Sequence, residues 1–367
     1  MNKLAMRRLW FQLHKWIGLL LVVLIVPIAL SGAALVWGEA LDRLLDPARH
    51  ATSGTTLLPL QRYLDTAQQR ASAGLVVANV VLPDGAGPVA VTLVAPPRAG
   101  ERRPARTMVY LDPPTARVLD IADNRRGVMR TLHLLHGSLL IPGIGRQIVG
   151  WIGIALMVSC FTGLWLWWPV VGRWVRGLRW RRQATVDANL HHLAGFWIAL
   201  PLSVLSLTGA WISFPRAFGA LVGEAPRDPG LMARMLAPPL ARPALSIDQA
   251  VARGRPLGPA AAIRTIVLPT QRNADWTLAF ATQPMVTVAI ADDSGVAARS
   301  AAFGAGGSGS VAQTMRRLHD GNGMGPAWQV LIFLGGVLPV VLGVTGVLMW
   351  WRARRWRKAL ARKRGAT

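Results

Sequence analysis

Four uninterrupted apolar stretches, Trp16–Trp37, Val149–Val170, Leu193–Phe214 and Trp328–Trp351, constrain this chain more than any other feature. A hydrocarbon core of about 30 Å takes roughly 20 helical residues to cross, and in lipid every backbone polar group must be satisfied internally. Each stretch is long enough, so four membrane-spanning helices are predicted. The first contains Ala29, Ser31, Ala33 and Ala34, small residues like those of a leader cleavage site, but its apolar run is too long for a leader and reads as a retained helix. Composition points the same way, with 52% hydrophobic residues and 16 Trp. The lone Cys160 lies in an apolar run and excludes an intrachain disulfide or a Cys-rich metal site.

Charge sets the expected orientation. The formal net charge of +24 would suit a nucleic-acid partner, but the Lys and Arg residues cluster beside the apolar runs, so no nucleic-acid partner is expected. Lys3, Arg7, Arg8 and Lys15 precede the first span. Arg173, Arg176, Arg179, Arg181 and Arg182 lie between the second and third, and eight Lys and Arg residues follow the fourth. Both termini and the middle loop are therefore predicted to be cytoplasmic. The expected organisation is a cytoplasmic N-terminus (1–15), a first span (16–38), an outer domain (39–130), an outer entry with the second span (131–170) and a basic loop (171–190). A third span (191–214), a second outer domain (215–318), an outer entry with the fourth span (319–351) and a basic tail (352–367) complete it. Trp clusters at helix ends, such as Trp165, Trp167 and Trp168, fit interfacial anchors.

The outer segments read as small α+β domains. In the first, Leu57–Arg70 is predicted helical and Gly74–Leu82, Val89–Val94 and Thr107–Leu111 extended. In the second, a helix near Ser246–Arg253 precedes strands near Ile263–Leu268, Trp276–Phe280 and Val286–Ile290. A similar turn closes each, around Asp112 and around Asp292-Asp293. The fold class expected is a membrane four-helix bundle with two outer α+β domains, made of a duplicated helix–domain–helix unit.

The spans sharpen the duplication. His14 precedes Gly32 by 18 residues and His191 precedes Gly209 by 18; His136 precedes Gly163 by 27 and His319 precedes Gly346 by 27. Each glycine follows a Ser or Thr. The spacing equates His14 with His191 and His136 with His319, and the orientation puts each pair on one side of the membrane. Ionisable residues at membrane helix ends are costly unless partnered. Two neutral imidazoles from separate helices in an apolar bundle suit axial ligation of haem iron, with no open coordination position. Zinc is the rival for His pairs, but it wants three or four ligands, and only Asp187 and Asp320 supply nearby carboxylates. Two b-type haems are therefore expected, one held by His14 and His191, the other by His136 and His319. His133 and His192 are second-tier candidates, because Arg316 and Lys15 occupy the matching positions. His50 has no counterpart and reads as a surface residue.

The sequences Leu-His14-Lys-Trp-Ile-Gly, Leu-His136-Gly-Ser-Leu-Leu, Leu-His191-His-Leu-Ala-Gly-Phe-Trp and Leu-His319-Asp-Gly, with the Ser-Gly and Thr-Gly pairs, resemble the PepSY-associated transmembrane proteins. The resemblance covers nearly the whole chain. It implies a bacterial inner-membrane location, PepSY-like periplasmic domains, haem bound by helix-end histidines, and reduction of periplasmic ferric chelates such as ferric siderophores. The Asp292-Asp293-Ser-Gly turn departs from the proline-containing turn of that family.

Other motifs carry less. Phe303–Ser310 is glycine-rich like a dinucleotide loop, but it lacks the strand–helix context and reads as a linker. With no flavin or nicotinamide site expected, electrons must come from a separate donor, membrane quinol or a cytosolic flavoprotein. Arg102, Arg103, Arg106, Arg125, Arg126 and Arg130 are candidates to attract an anionic ferric chelate or simply to solvate the surface and touch lipid headgroups. A non-enzymatic anchor or regulator acting on periplasmic partners is the alternative, with the histidines only stabilising the bundle.

Overall fold

The computed structural model describes residues 3–72, 74–96, 105–168, 178–180, 183–224, 230, 237–282, 285–300 and 310–364. In chain order its elements are α1 (Lys3–Val36), α2 (Gly38–Leu45), α3 (Leu60–Arg70), β1 (Val76–Val81), β2 (Val89–Val94), β3 (Arg106–Leu111) and β4 (Val118–Asp123). There follow α4 (Val128–Ser138), α5 (Gly145–Trp167), α6 (Val186–Ser213), α7 (Pro215–Leu221), α8 (Ile247–Gly254), β5 (Ile263–Val267), β6 (Asp275–Phe280) and β7 (Thr287–Ala291). Last come β8 (Ala297–Ser300), α9 (Val311–Asp320) and α10 (Pro326–Arg364). They form two units: Met1–Gly38, Thr131–Gly223 and Val311–Thr367 in one, Glu39–Arg130 and Glu224–Ser310 in the other.

The first unit is a helical bundle. Four helices are long and apolar enough to cross a membrane, Leu4–Val36, Gly145–Trp167, Val186–Ser213 and Pro326–Arg364. They outrun the apolar stretches because Leu4–Lys15 and Arg352–Arg364 contain neither Gly nor Pro and consist largely of good helix formers. α5 stops earlier than its apolar run, at Trp167, because Pro169 cannot continue a helix and disfavours helical backbone just before it. α1 and α6 each pack against both α5 and α10. Small residues set the close approaches: a Cβ on Gly153 would lie 3.1 Å from the Ser206 carbonyl, and one on Gly336 would lie 2.6 Å from the Ala29 carbonyl.

The second unit is one antiparallel sheet of eight strands in the order β4-β3-β2-β1-β5-β6-β7-β8. The two segments read above as separate domains thus share a sheet. They meet through β1 and β5, with Val80 opposite Ile266. Two parts extend the expected strand set, β4 and β8, which sit at the sheet's edges. One face is covered by α3 and α8, whose Tyr63, Leu64, Ile247 and Ala250 pack with Val80, Val91, Ile266 and Leu278. Asp248 of α8 caps α3, accepting from the Leu60 and Gln61 amides at 2.7 and 3.1 Å. Ser246 and Gln249 form a capping box on α8 itself.

The two turn aspartates are internal fasteners. Asp112 accepts from the Ser53 amide (2.7 Å), the Ser53 hydroxyl (2.6 Å) and the Thr115 hydroxyl. Asp292 accepts from the Ala244 and Leu245 amides and from Trp276 Nε1 at 2.8 Å. Burial opposes the charge on Asp112, yet the Ser53 and Thr115 hydrogen bonds win and hold its pKa below the usual carboxylate value. A depressed folded-state pKa stabilises the fold above the unfolded value and loses that contribution as pH falls through the folded one. Asp112→Asn is therefore expected to cost about 2 kcal/mol at neutral pH and progressively less below about pH 4, read by thermal unfolding of the sheet unit within the full chain. An equal cost at pH 3 and pH 7 would contradict this account.

His50, expected at the surface, is partly exposed and belongs to a fastened cluster: its Nε2 lies 2.9 Å from Asp42, beside Arg49, whose side chain is only 11% exposed. Arg49 bonds Asp42 and Asp120 and lies 4.5 Å from the Tyr110 ring centre, which ties the segment before α3 to the sheet edge.

Candidate functional site

Each of the four helix-end histidines is seated by the same local device. His14 Nδ1 donates to the Ser159 carbonyl at 3.1 Å, His136 Nδ1 to Ile28 at 2.9 Å, His191 Nδ1 to Leu342 at 3.1 Å and His319 Nδ1 to Leu205 at 3.1 Å. In every case the accepting carbonyl stands four residues before a glycine, at Gly163, Gly32, Gly346 and Gly209. The missing Cβ leaves room for the ring: a Cβ built there would meet the imidazole Cε1 at 3.0, 2.7, 3.5 and 3.0 Å respectively. The hydroxyl residue before each glycine bonds back along its own helix, and Thr162, Thr345 and Thr208 also approach Nδ1 at 3.2, 3.0 and 3.0 Å. The Ser/Thr-Gly pairs are thus imidazole seats, a role that sequence reasoning did not assign; their fixed distance from the histidines was the available signal.

A carbonyl only accepts, so Nδ1 must carry the proton and Nε2 presents its lone pair. This is the tautomer that a metal-binding imidazole needs, fixed by an outer hydrogen bond. The seats then bring the rings together in two pairs. His14 of α1 faces His191 of α6, ring centres 6.3 Å apart with planes at 85°; His136 of α4 faces His319 of α9 at 5.9 Å and 38°. Two axial imidazoles on one iron require a centre-to-centre distance of roughly 6.2 Å, from two metal–nitrogen bonds of about 2.0 Å and two ring radii of about 1.1 Å. Both pairs match that span. Among the described residues no three His, Cys, Asp or Glu side chains gather into a metal cage.

The first pair opens into an apolar cavity of about 230 Å³ between the membrane helices. Gly18 and Gly195, one turn beyond His14 and His191, line it together with Phe11, Phe196 and Gly343. A Cβ on Gly18 would meet nothing within 4 Å, so the wall beside the imidazole is flat and open. The site residues therefore fit two bis-imidazole irons in chemistry, tautomer and spacing.

A family model described as the PepSY-associated TM region matches residues 11–353. The chain belongs to this family. No curated protein matches it. The PepSY-associated match takes in all four seated histidines and all four seats.

Within this PepSY-associated protein the two members of each doublet are placed differently. His133 is exposed on α4, and it is His136 that faces His319. His192 lines the cavity beside His191, ring centres 6.3 Å apart, whereas Lys15, its counterpart, lies over Trp16 at 4.6 Å. The two nearby carboxylates are both paired: Asp187 with Arg352 at 2.5 Å, and Asp320 with Arg316 at 3.5 Å. Burial raises the pKa of Asp320 above its usual value, with Arg316 opposing. Arg7 donates to the Leu166 carbonyl at 2.8 Å, closing the end of α5. Of the basic residues considered for chelate attraction, Arg102 and Arg103 lie outside the described residues, as does most of the glycine-rich stretch (303–309), and the Arg126 side chain is 88% exposed.

Proposed function

We propose that this chain is a multi-pass protein of the bacterial inner membrane, internally duplicated, with cytoplasmic termini and a periplasmic PepSY-like sheet unit. It holds two b-type haems, one between His14 and His191 and one between His136 and His319. Its activity is that of an oxidoreductase, passing electrons from a separate donor to a periplasmic ferric chelate of the siderophore class. The observation that carries the reading is the paired, Nδ1-anchored imidazoles at 6.3 and 5.9 Å. Haem iron held by two imidazoles cycles between ferric and ferrous states without an open coordination position.

The protein's own part is to fix the ligands and keep water away. The seats hold each ring in one tautomer, the apolar walls lower the dielectric, and the spacing of the seats sets the reach. His14 and Gly32, the residue against His136, are 18 residues apart on α1, about 27 Å at roughly 1.5 Å per residue, close to a hydrocarbon thickness. The two pairs are thus suited to opposite faces of one membrane.

The test is the visible spectrum of purified protein expressed with haem supply. A Soret band with two haems per chain, reducible by dithionite and reoxidised by ferric siderophores in stopped flow, is expected. No Soret band overturns the haem reading and leaves the anchor or regulator alternative; haem that ferric chelates do not reoxidise overturns the choice of acceptor.

A further inference from the structure

The charge of this chain is divided very unequally. The segments 1–15, 171–190 and 352–367 hold four, five and eight Lys and Arg residues, against one acidic residue, Asp187. The remaining 16 acidic residues lie elsewhere, so these segments carry +16 of the net +24. On the proposed orientation all three face the cytoplasm. Half of that excess stands on a single structural element, the end of α10. The helix runs without a break to Arg364, 13 residues beyond Trp351, and no acidic residue follows Asp320. Residues 351–359 are all exposed, Trp356 to 66%.

Simple orientation of the span needs basic residues close to the headgroups. This helix goes further: 13 residues at about 1.5 Å each reach roughly 20 Å, more than twice the Debye length of about 8 Å at physiological salt. At about 100° per residue its Lys and Arg side chains surround the helix except for one narrow stripe, where Ala353, Trp356 and Leu360 fall at i, i+3 and i+7. A helix lying on a lipid surface would waste the charges on its far side. A basic helix with an anchoring stripe suits a protein surface that is acidic around an apolar groove. Its root is tied to the first histidine pair: Arg352 bonds Asp187, one turn before His191 on α6, and His191 is seated at Gly346, six residues before Arg352.

We propose that the projecting end of α10 is the docking site of a soluble, acidic electron-donor protein, which it holds beside His14 and His191. The proposal rests on the electron-transfer reading above and deepens it by choosing a soluble protein over quinol as donor. Positive potential around the helix draws the partner in, and Trp356 supplies the buried anchor.

The probe is flavodoxin, a small acidic flavoprotein, tested on the full chain in phosphatidylcholine nanodiscs. Flavodoxin is expected to bind, and raising salt from about 20 to 200 mM should weaken binding at least tenfold. The combined variant Arg357→Glu, Lys358→Glu, Arg362→Glu and Lys363→Glu should lose binding by at least tenfold as well. Reduced flavodoxin, giving one electron to one ferric haem, should reduce this variant at least tenfold more slowly, while dithionite and a quinol analogue reduce both proteins alike. Trp356→Ala should weaken binding and leave its salt dependence unchanged. Equal binding and equal rates in the charge-reversed variant overturn the proposal. So does protection of the helix from trypsin by phosphatidylglycerol nanodiscs and not by flavodoxin, which makes it a lipid anchor. Protein that lacks haem but binds flavodoxin in this way fails the electron-transfer reading and retains the docking surface.

Discussion

Replacing His136 by alanine is expected to halve the haem content of the purified protein and leave the haem held by His14 and His191 in place. The ring of His136 contributes one of two imidazoles facing each other at 5.9 Å, whereas His133 on the same helix is exposed. His319→Ala should give the same half content. The double variant should lose no more than either single one, because residues that act as one unit are not additive. Pyridine haemochrome quantification per chain reads the outcome. Retention of two haems in His136→Ala, or loss of both, would show that the pairing is different.

Gly32→Ala is expected to mimic that loss without touching a ligand. Helix propensity alone favours Ala over Gly by about 1 kcal/mol, so an inert position would gain stability. Here the new Cβ would lie 2.7 Å from Cε1 and 2.9 Å from Nδ1 of His136, inside van der Waals contact. The ring has little room to yield, because Nδ1 is bonded to the Ile28 carbonyl at 2.9 Å on the same helix face. Displacing it stretches that bond and shifts the ring relative to His319. Disrupting such outer support typically costs about 10–100-fold in metal affinity, so the outer haem should be lost on dilution while the inner one stays. Gly346→Ala is the internal control. Its Cβ would meet His191 at 3.5 Å, an ordinary contact, so propensity should win and the inner haem should be retained. The reverse order of sensitivity would remove the glycines from the role of imidazole seats.

The histidine pairing could be read without coordinates because it rests on two spacings, 18 and 27, each occurring twice. The glycines were visible for the same reason, but their purpose was not. Gly32 and the ring it faces, that of His136, are 104 residues apart, and nothing local to Gly32 names its neighbour. The edge strands were hidden differently. Val118–Asp123 carries two aspartates and Ala297–Ser300 is four residues long, so neither has the alternation of a half-buried strand. Each is extended because the adjacent strand offers unpaired backbone groups. The pairing of His50 was not legible because its partner, Asp42, lies eight residues away with a turn of helix between them.

Hydrophobic length, charge and the spacing of residues are written along the chain, and by themselves they determined four helices apolar enough to cross a membrane, the clustering of basic residues at their ends and the repeated 18- and 27-residue spacings of the histidines. Where two distant segments meet is settled by shape and hydrogen bonding that exist only once the chain is folded. Tertiary structure alone therefore decided that strands around Val80 and Ile266 would close two half-sheets into one, and that each imidazole would find a glycine and a carbonyl on another helix.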